Sequence, residues 1–266
     1  MIKNYGFIED DIKIEDTDYI LGGLGDLPTE IIMPDGQWDK FLPVYEPQAE
    51  KYETFGCTVW GSQNQIETYI KAVFGYEPNY EERYNYNLIG INPPGARPND
   101  AYQSIRNFGL LDAPKLPVPL TLEEFVTPRP VTEELKTEGK KWLEKYELKH
   151  EWVTGDMKPA IMNTLKFSPI AVSVTAWINE QDFYIDNEQP NTHWTLCYGY
   201  QDTPIGIALK IFDSYDHSTK LLHPNHRIAF AKRIYIKEAP KAKPLTSWQK
   251  WQQFLIGEWC KKSWQK

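Results

Sequence analysis

The spacing of apolar residues changes from helical to alternating near residue 169. Between residues 57 and 74, apolar side chains recur at intervals of three and four, which predicts a helix that ends at Gly75. Three shorter helices are predicted at 99–108, 132–146 and 157–166. Most of the helical signal therefore lies in the first two thirds of the chain.

After Pro169 the apolar residues alternate with polar ones. Segments rich in Val, Ile, Thr and aromatic residues predict four strands at 171–178, 193–200, 205–215 and 227–236. Helices followed by antiparallel strands are typical of an α+β fold. Two lobes that meet at a cleft would satisfy this order.

Both ends of the chain differ from this central region. The first 50 or so residues contain many Gly and Pro residues, which predicts an extended segment that wraps around the domain. Residues 247–266 place three tryptophans and a leucine on one stripe of a predicted helix, with lysines outside it. Such a helix could fold back on its own domain, bind a protein partner or lie on a membrane surface.

Composition excludes several classes of protein. The 266 residues include 29 Lys+Arg and 37 Asp+Glu, a net charge of −8, which argues against a nucleic-acid-binding protein. No window approaches the roughly 20 apolar residues that span a bilayer, and the acidic start does not resemble a signal peptide. We therefore expect a cytoplasmic protein without a membrane span.

The sequence predicts neither a metal nor a cofactor. Three scattered cysteines lack the spacing of a disulfide framework or a CxxC metal site. His223 and His226 come nearest to metal-ligand spacing, but they fall in a predicted turn. Residues 22–25 lack the strand–loop–helix context of a nucleotide-binding loop. Four histidines lie in polar stretches and are predicted to be exposed: His150, His217, His223 and His226.

Three residues in separate predicted elements form a candidate nucleophilic site. Cys57 begins the first helix, and a helix N-terminus stabilises a thiolate. His193 begins a strand, from which its ring can project into a cleft. Asp213 ends the next strand and could fix the orientation and tautomer of the imidazole. Each alone has an ordinary structural explanation, so the hypothesis depends on the three together.

The residues around these positions resemble papain-family cysteine peptidases. The matching segments are Phe55–Trp60 at the nucleophile, His193 with Gly199 and Tyr200, and Ile211–Tyr215 at the third catalytic residue. The 136 positions between Cys57 and His193 fall within the roughly 130 to 150 of that arrangement. The likeness spans about Leu42 to Ile236. Residues 34–38 and the Gly-Cys-Thr run also resemble papain-like proteins of phages and their hosts.

This resemblance implies a papain-like two-lobe fold and its domain limits. A helical lobe would cover about 42–150, and an antiparallel, β-barrel-like lobe about 151–240. The segment 1–41 would wrap around them, and 241–266 would form a Trp-rich helix. Whether the wrapping segment blocks the cleft is left open by the sequence.

The resemblance also implies thiol-dependent hydrolysis of a polypeptide substrate. Cys57 would be the nucleophile, His193 its acid and base, Asp213 the residue that orients the ring, and Gln48 an oxyanion donor. Gln48 lies nine positions before Cys57, a longer gap than the family has, and Asp213 stands where the family has Asn. The expected role is protein processing in a prokaryotic host or a phage virion.

Two other functions fit the same sequence. The chain could be a structural or interaction protein that keeps the scaffold with little catalysis, since a fold does not guarantee a function. It could also be a thiol amidase that acts on peptidoglycan crosslinks. A protein partner could bind through the 247–266 helix in any of these cases.

Overall fold

The computed structural model describes residues 5–10, 30–116, 119–126, 131–186, 188–215 and 219–239. The predicted helix at 247–266 lies outside these residues, as do His217 and Cys260. Within the described ranges, the helices and strands follow the predicted α+β order, with two additional helices and four additional strands.

The described residues form six α-helices: α1 Cys57–Phe74, α2 Glu82–Ile89, α3 Pro98–Phe108, α4 Leu122–Val126, α5 Glu133–Lys145 and α6 Met157–Thr164. Helix α1 has the predicted limits, and Gly75 ends it in the left-handed region at φ 74°. None of the helices in the described ranges is long and apolar enough to cross a bilayer.

Helix α2 lies in a stretch that sequence patterns predict to be loop. It buries Arg83 and Asn85 as well as Tyr84 and Tyr86, so polar and aromatic residues are inside together. With eight residues, α2 is short, and its buried side chains include polar ones, so its sequence gives only a weak helical signal.

The main sheet has six antiparallel strands in the order β1-β8-β2-β5-β6-β7. Their limits are β1 Tyr146–Trp152, β2 Ile170–Val174, β5 His193–Thr203, β6 Gly206–Phe212, β7 Thr219–Leu221 and β8 Ala231–Glu238. A separate hairpin comprises β3 Ile178–Glu180 and β4 Phe183–Ile185. Strands β5 and β6 are neighbours in this sheet. Strand β5 begins at His193, and β6 ends at Phe212, one residue before Asp213.

Strand β1 is also absent from the sequence prediction, as are helix α4 and the short strands β3, β4 and β7. Its buried residues Tyr146, Leu148, His150 and Trp152 alternate with half-buried charged ones, and it pairs with β8 along its whole length. The charged residues make this segment look like a continuation of the preceding helix. The predicted lobe boundary near residue 150 falls within β1.

Helix α1 packs directly against β5, which brings the two halves of the fold together. Gly61 makes this close approach possible, because a Cβ there would lie 2.8 Å from the Trp194 carbonyl oxygen. Deeper in the same interface, Gln65 Nε2 donates hydrogen bonds to the carbonyl oxygens of Pro169 and Lys232, at 2.7 and 2.8 Å. The N-terminus of α1 is thereby placed at the start of β5.

Candidate active site

His193 and Asp213 form a short, fully buried contact. The His193 Nε2 atom lies 2.6 Å from Asp213 Oδ1, and neither side chain is exposed. The other Asp213 oxygen, Oδ2, accepts a hydrogen bond of 2.7 Å from Lys220 Nζ. Burial by itself would raise the pKa of Asp213, but the His193 ring and the Lys220 ammonium outweigh it, so the pKa lies below its ordinary value. The carboxylate is therefore ionised and holds the ring from one side.

The opposite ring nitrogen of His193 is available. Nδ1 is buried and has no hydrogen-bond partner among the residues that the structure describes. The ring is held edge-on by Tyr5, Trp177 and Tyr215, whose centroids lie 5.4, 5.6 and 5.2 Å away. With Nε2 committed to Asp213, this arrangement leaves Nδ1 as the atom that can exchange a proton.

Cys57 lies beside this histidine at the first residue of α1. Its sulfur makes a hydrogen bond with the backbone of Trp194, the residue that follows His193. Burial raises the pKa of the Cys57 thiol well above its ordinary value, and the charges of Glu53 and Asp213 raise it further. The structure thus places the Cys57 sulfur against the backbone of the residue after His193 and under the influence of the Asp213 charge, and burial keeps it a thiol in this conformation.

Gln48 is anchored so that one amide N–H faces the N-terminal segment. Its Oε1 accepts a 2.8 Å hydrogen bond from Ser214 Oγ, and its Nε2 lies 2.9 Å from the Tyr215 hydroxyl. Nε2 also donates a 3.1 Å hydrogen bond to the Tyr5 carbonyl oxygen and lies 3.5 Å from Glu53 Oε1. The long gap to Cys57 is absorbed by the loop before α1, and Gln48 reaches the same site.

Sequence reasoning missed four residues of this site. Lys220 binds Asp213, and Glu53 accepts a hydrogen bond from the Tyr215 hydroxyl. Tyr5 contacts both His193 and Tyr215, and Trp177 contacts His193. No local pattern distinguishes Glu53 or Tyr5 from surface residues. For Lys220 a signal exists, since it is a lysine at the middle position of a short strand close after the candidate acid.

Residues 5–10, the N-terminal segment, lie in the groove between the helices and the sheet. The Tyr5 N–H donates to the Thr192 carbonyl at 3.0 Å, next to His193, while its carbonyl accepts from Gln48. Gly6 has φ 111°, and a Cβ there would lie 2.0 Å from the Phe55 oxygen. Only glycine allows the backbone to pass so close to the residues before Cys57.

The rest of this segment continues along the groove. Phe7 pairs in parallel with Ala96, and its ring stacks on Trp194 with centroids 6.0 Å apart. The Ile8 N–H donates to the Ala96 oxygen at 3.0 Å. Asp10 Oδ2 accepts a 3.0 Å hydrogen bond from the Asn99 N–H at the start of α3. The segment therefore contacts both sides of the groove over its length.

The prediction that the other histidines are exposed is wrong for two of them. His150 is completely buried in β1, and His226 is 4% exposed, with Nδ1 3.1 Å from the Tyr184 oxygen. Both occupy polar-looking stretches whose burial depends on strand pairing and loop packing. His223 is half-buried. Cys197, on the same strand as His193, is buried and hydrogen-bonds to the Gly199 oxygen, as expected for a packed cysteine.

No protein-family model matches the sequence, and no curated protein matches it significantly. Among solved structures, bromelain from Ananas comosus matches with 14% identity over 74% of this chain and 96% of its own, at a TM-score of 0.57. Procathepsin L 3 of Tenebrio molitor matches with 11% identity over 81% and 72%, at 0.53. The clostridial cysteine protease Cwp84 matches with 11% identity over 76% and 57%, at 0.60. The chain has the papain-like fold of these cysteine proteases, as the sequence resemblance implied.

Proposed function

We propose that this protein is a cysteine peptidase that hydrolyses peptide bonds through Cys57, His193 and Asp213. The observation that supports this most directly is the His193 ring. Asp213 binds its Nε2, and its unpartnered Nδ1 lies on the side of the ring away from that carboxylate. Cys57 lies nearby at a helix N-terminus. Solved structures with the same fold are cysteine proteases, which is consistent with a polypeptide substrate.

In the proposed reaction the Cys57 sulfur, after giving its proton to His193 Nδ1, attacks the substrate carbonyl carbon. The oxyanion that forms accepts hydrogen bonds from Gln48 Nε2 and the Cys57 N–H. His193 returns the proton to the leaving amine, which departs as the C–N bond breaks. Water then attacks the thioester while His193 accepts a proton from it, and the acid product and free thiol are released.

The N-terminal segment is an inhibitor of this reaction in our proposal. Its Tyr5 carbonyl takes the Gln48 hydrogen bond that a substrate oxyanion would need. Activity therefore requires that residues 5–10 leave the groove, by cleavage or by displacement.

The buried thiol also favours a second candidate, a papain-like scaffold without efficient catalysis. A sulfur with a raised pKa is a weak nucleophile at neutral pH. In that case the groove would permanently hold its own N-terminal segment, and the protein would act through its surface. Processing of phage or virion proteins, with a location in a prokaryotic cytoplasm or a virion, remains a prediction from the sequence resemblance under either candidate.

A peptide-cleavage assay distinguishes the two candidates. The full chain is incubated with a casein digest under reducing conditions between pH 5 and 8, beside Cys57→Ala, Cys197→Ala and Gly6→Ala. We expect new peptide ends with wild type and Cys197→Ala, more with Gly6→Ala because the segment is displaced, and none with Cys57→Ala. If folded wild type and Gly6→Ala both cleave nothing, the scaffold candidate replaces the peptidase.

A further inference from the structure

Lys220 is a fully buried lysine whose ammonium group lies behind the candidate site. It occupies the middle of β7, paired with Ile211 of β6, and its side chain has no solvent exposure. Its Nζ is 2.7 Å from Asp213 Oδ2 and 2.9 Å from the Tyr215 carbonyl oxygen, and lies 5.0 Å from the centre of the Trp177 ring. Burying an ammonium group costs several kcal/mol unless its partners compensate, so this site is built to hold a cation.

The Lys220 ammonium group lies directly behind the Asp213 carboxylate and can compensate its negative charge. Asp213 binds His193 through one oxygen and Lys220 through the other, so the carboxylate is fixed from both sides. An uncompensated carboxylate here would stabilise a protonated neighbour and disfavour a nearby anion. Asp213 already raises the pKa of the Cys57 thiol. A cation directly behind it opposes that effect.

We propose that Lys220 is a positioning residue that holds Asp213 against His193 and cancels the charge of Asp213 at the Cys57 sulfur. The Asp213–Lys220 pair has no net charge, as a neutral amide would have. This explains how a carboxylate can stand where the resembling family has Asn. The proposal rests on the proposed function in assigning Cys57 a reactive role.

The other groups that face the Cys57 sulfur are the same in every variant used to test this. They include Glu53 from the loop before α1 and Tyr215 after β6, which interact electrostatically with the sulfur, while His193 from β5 and Tyr5 from the N-terminal segment contact the Tyr215 ring. Differences between variants at Asp213 and Lys220 therefore report on that pair.

The test is the pH dependence of Cys57 alkylation by iodoacetamide in the full chain, followed by mass spectrometry of the peptide that contains Cys57. Lys220→Met should raise the midpoint of this profile by about one pH unit, because Asp213 loses its counter-charge. Asp213→Asn should lower it, because Lys220 keeps its charge. The double variant should return close to wild type. Lys210→Met removes a half-buried lysine that binds Gln37 and Asp39 and should change nothing.

A folded Lys220→Met protein with the wild-type midpoint would overturn the proposal, as would a double variant whose midpoint differs from wild type by as much as that of either single variant. If Lys220→Met does not fold, Asp213→Asn is compared with the double variant, and equal midpoints would overturn it. Shifts without peptide cleavage by any variant would refute the proposed function alone. Cleavage that depends on Cys57, without shifts, would refute the role of Lys220 alone.

Discussion

Two buried lysines lie on the same sheet, and they differ in where their negative partner comes from. Lys220 binds Asp213, which is seven residues earlier in the chain and buried with it. Lys232, on β8, hydrogen-bonds to Asn99, lies 3.4 Å from His150 Nδ1 and packs its ammonium 3.9 Å from the centre of the Trp152 ring. The acid whose charge acts on Lys232 is Asp10, from the N-terminal segment.

The charges of the two clusters differ accordingly. In the first, the pKa of Asp213 is lowered despite burial. In the second, burial lowers the pKa of Lys232 to about 7 and raises that of Asp10 to about 6, while the pKa of His150 falls well below its ordinary value. A carboxylate held at hydrogen-bond distance from its partners by the sheet stays ionised although it is buried. A carboxylate supplied by a separate segment leaves groups that titrate near neutral pH.

The largest expected effect follows from removing the acid of the first cluster. Asp213→Ala leaves His193 and Lys220 buried without their shared acceptor, so it should lower the free energy of unfolding by about 3–5 kcal/mol and abolish peptide cleavage. Urea unfolding at pH 7 measures the loss. Asp39→Ala, which removes the partner of the half-buried Lys210, should cost no more than about 1 kcal/mol. Equal costs for the two variants would contradict the comparison.

The second effect concerns the segment that brings Asp10 to Lys232. In Gly6→Ala the new Cβ meets the Phe55 oxygen, so the segment must shift out of the groove. We expect Cys57 to react with iodoacetamide at pH 7 at least about 10-fold faster, since opening of a locally unstable segment controls access. Gly75→Ala also strains a left-handed backbone, but in open space outside the groove, and should leave the rate unchanged. A Gly6→Ala rate equal to that of wild type would show that the segment does not cover the sulfur.

The third effect is a weaker pH dependence of the free energy of unfolding in Lys232→Met. The folded pKa of about 7 lies below the unfolded value of about 10.4, so the unfolded chain binds more protons between these values. The free energy of unfolding therefore rises with pH across this window and falls as pH drops towards 7. Replacement by Met should remove about 1–3 kcal/mol of that rise, measured by urea unfolding at pH 7 and 10. The exposed Lys140→Met serves as the control, and an unchanged slope in Lys232→Met would refute the assignment.

The smallest effect comes from Asp10→Asn. At Asp10 the stability falls as pH rises, which is the opposite of its change at Lys232. The folded pKa of about 6 lies above the unfolded value of about 3.9, so the stability that neutral Asp10 contributes is lost as pH rises through 6. Because Asp10 is partly exposed, this loss should be about 1 kcal/mol. Unfolding in urea at pH 4, 5 and 6 should show the loss in wild type and not in Asp10→Asn. Parallel slopes would mean that Asp10 does not titrate in this range.

The local pattern of apolar and polar residues was enough to predict much of the architecture. Helix α1, the strands β5 and β6, and the α+β order follow from periods of 3.6 and 2, which depend only on neighbouring residues. Cys57, His193 and Asp213 were recognisable because each stands at the end of such an element. Helix α2 and strand β1 were not, since their buried faces carry polar or charged residues whose partners are distant in sequence.

The α+β order and the residues at the ends of α1, β5 and β6 could be predicted from the amino-acid sequence. The contacts of Lys220 with Asp213, of Tyr5 with Gln48 and of His150 with Lys232 appear only in the folded protein. These contacts join residues through strand register and through the path of the N-terminal segment. Their physical basis is the cost of burying an unpaired polar group, which is settled only when every element has its neighbours.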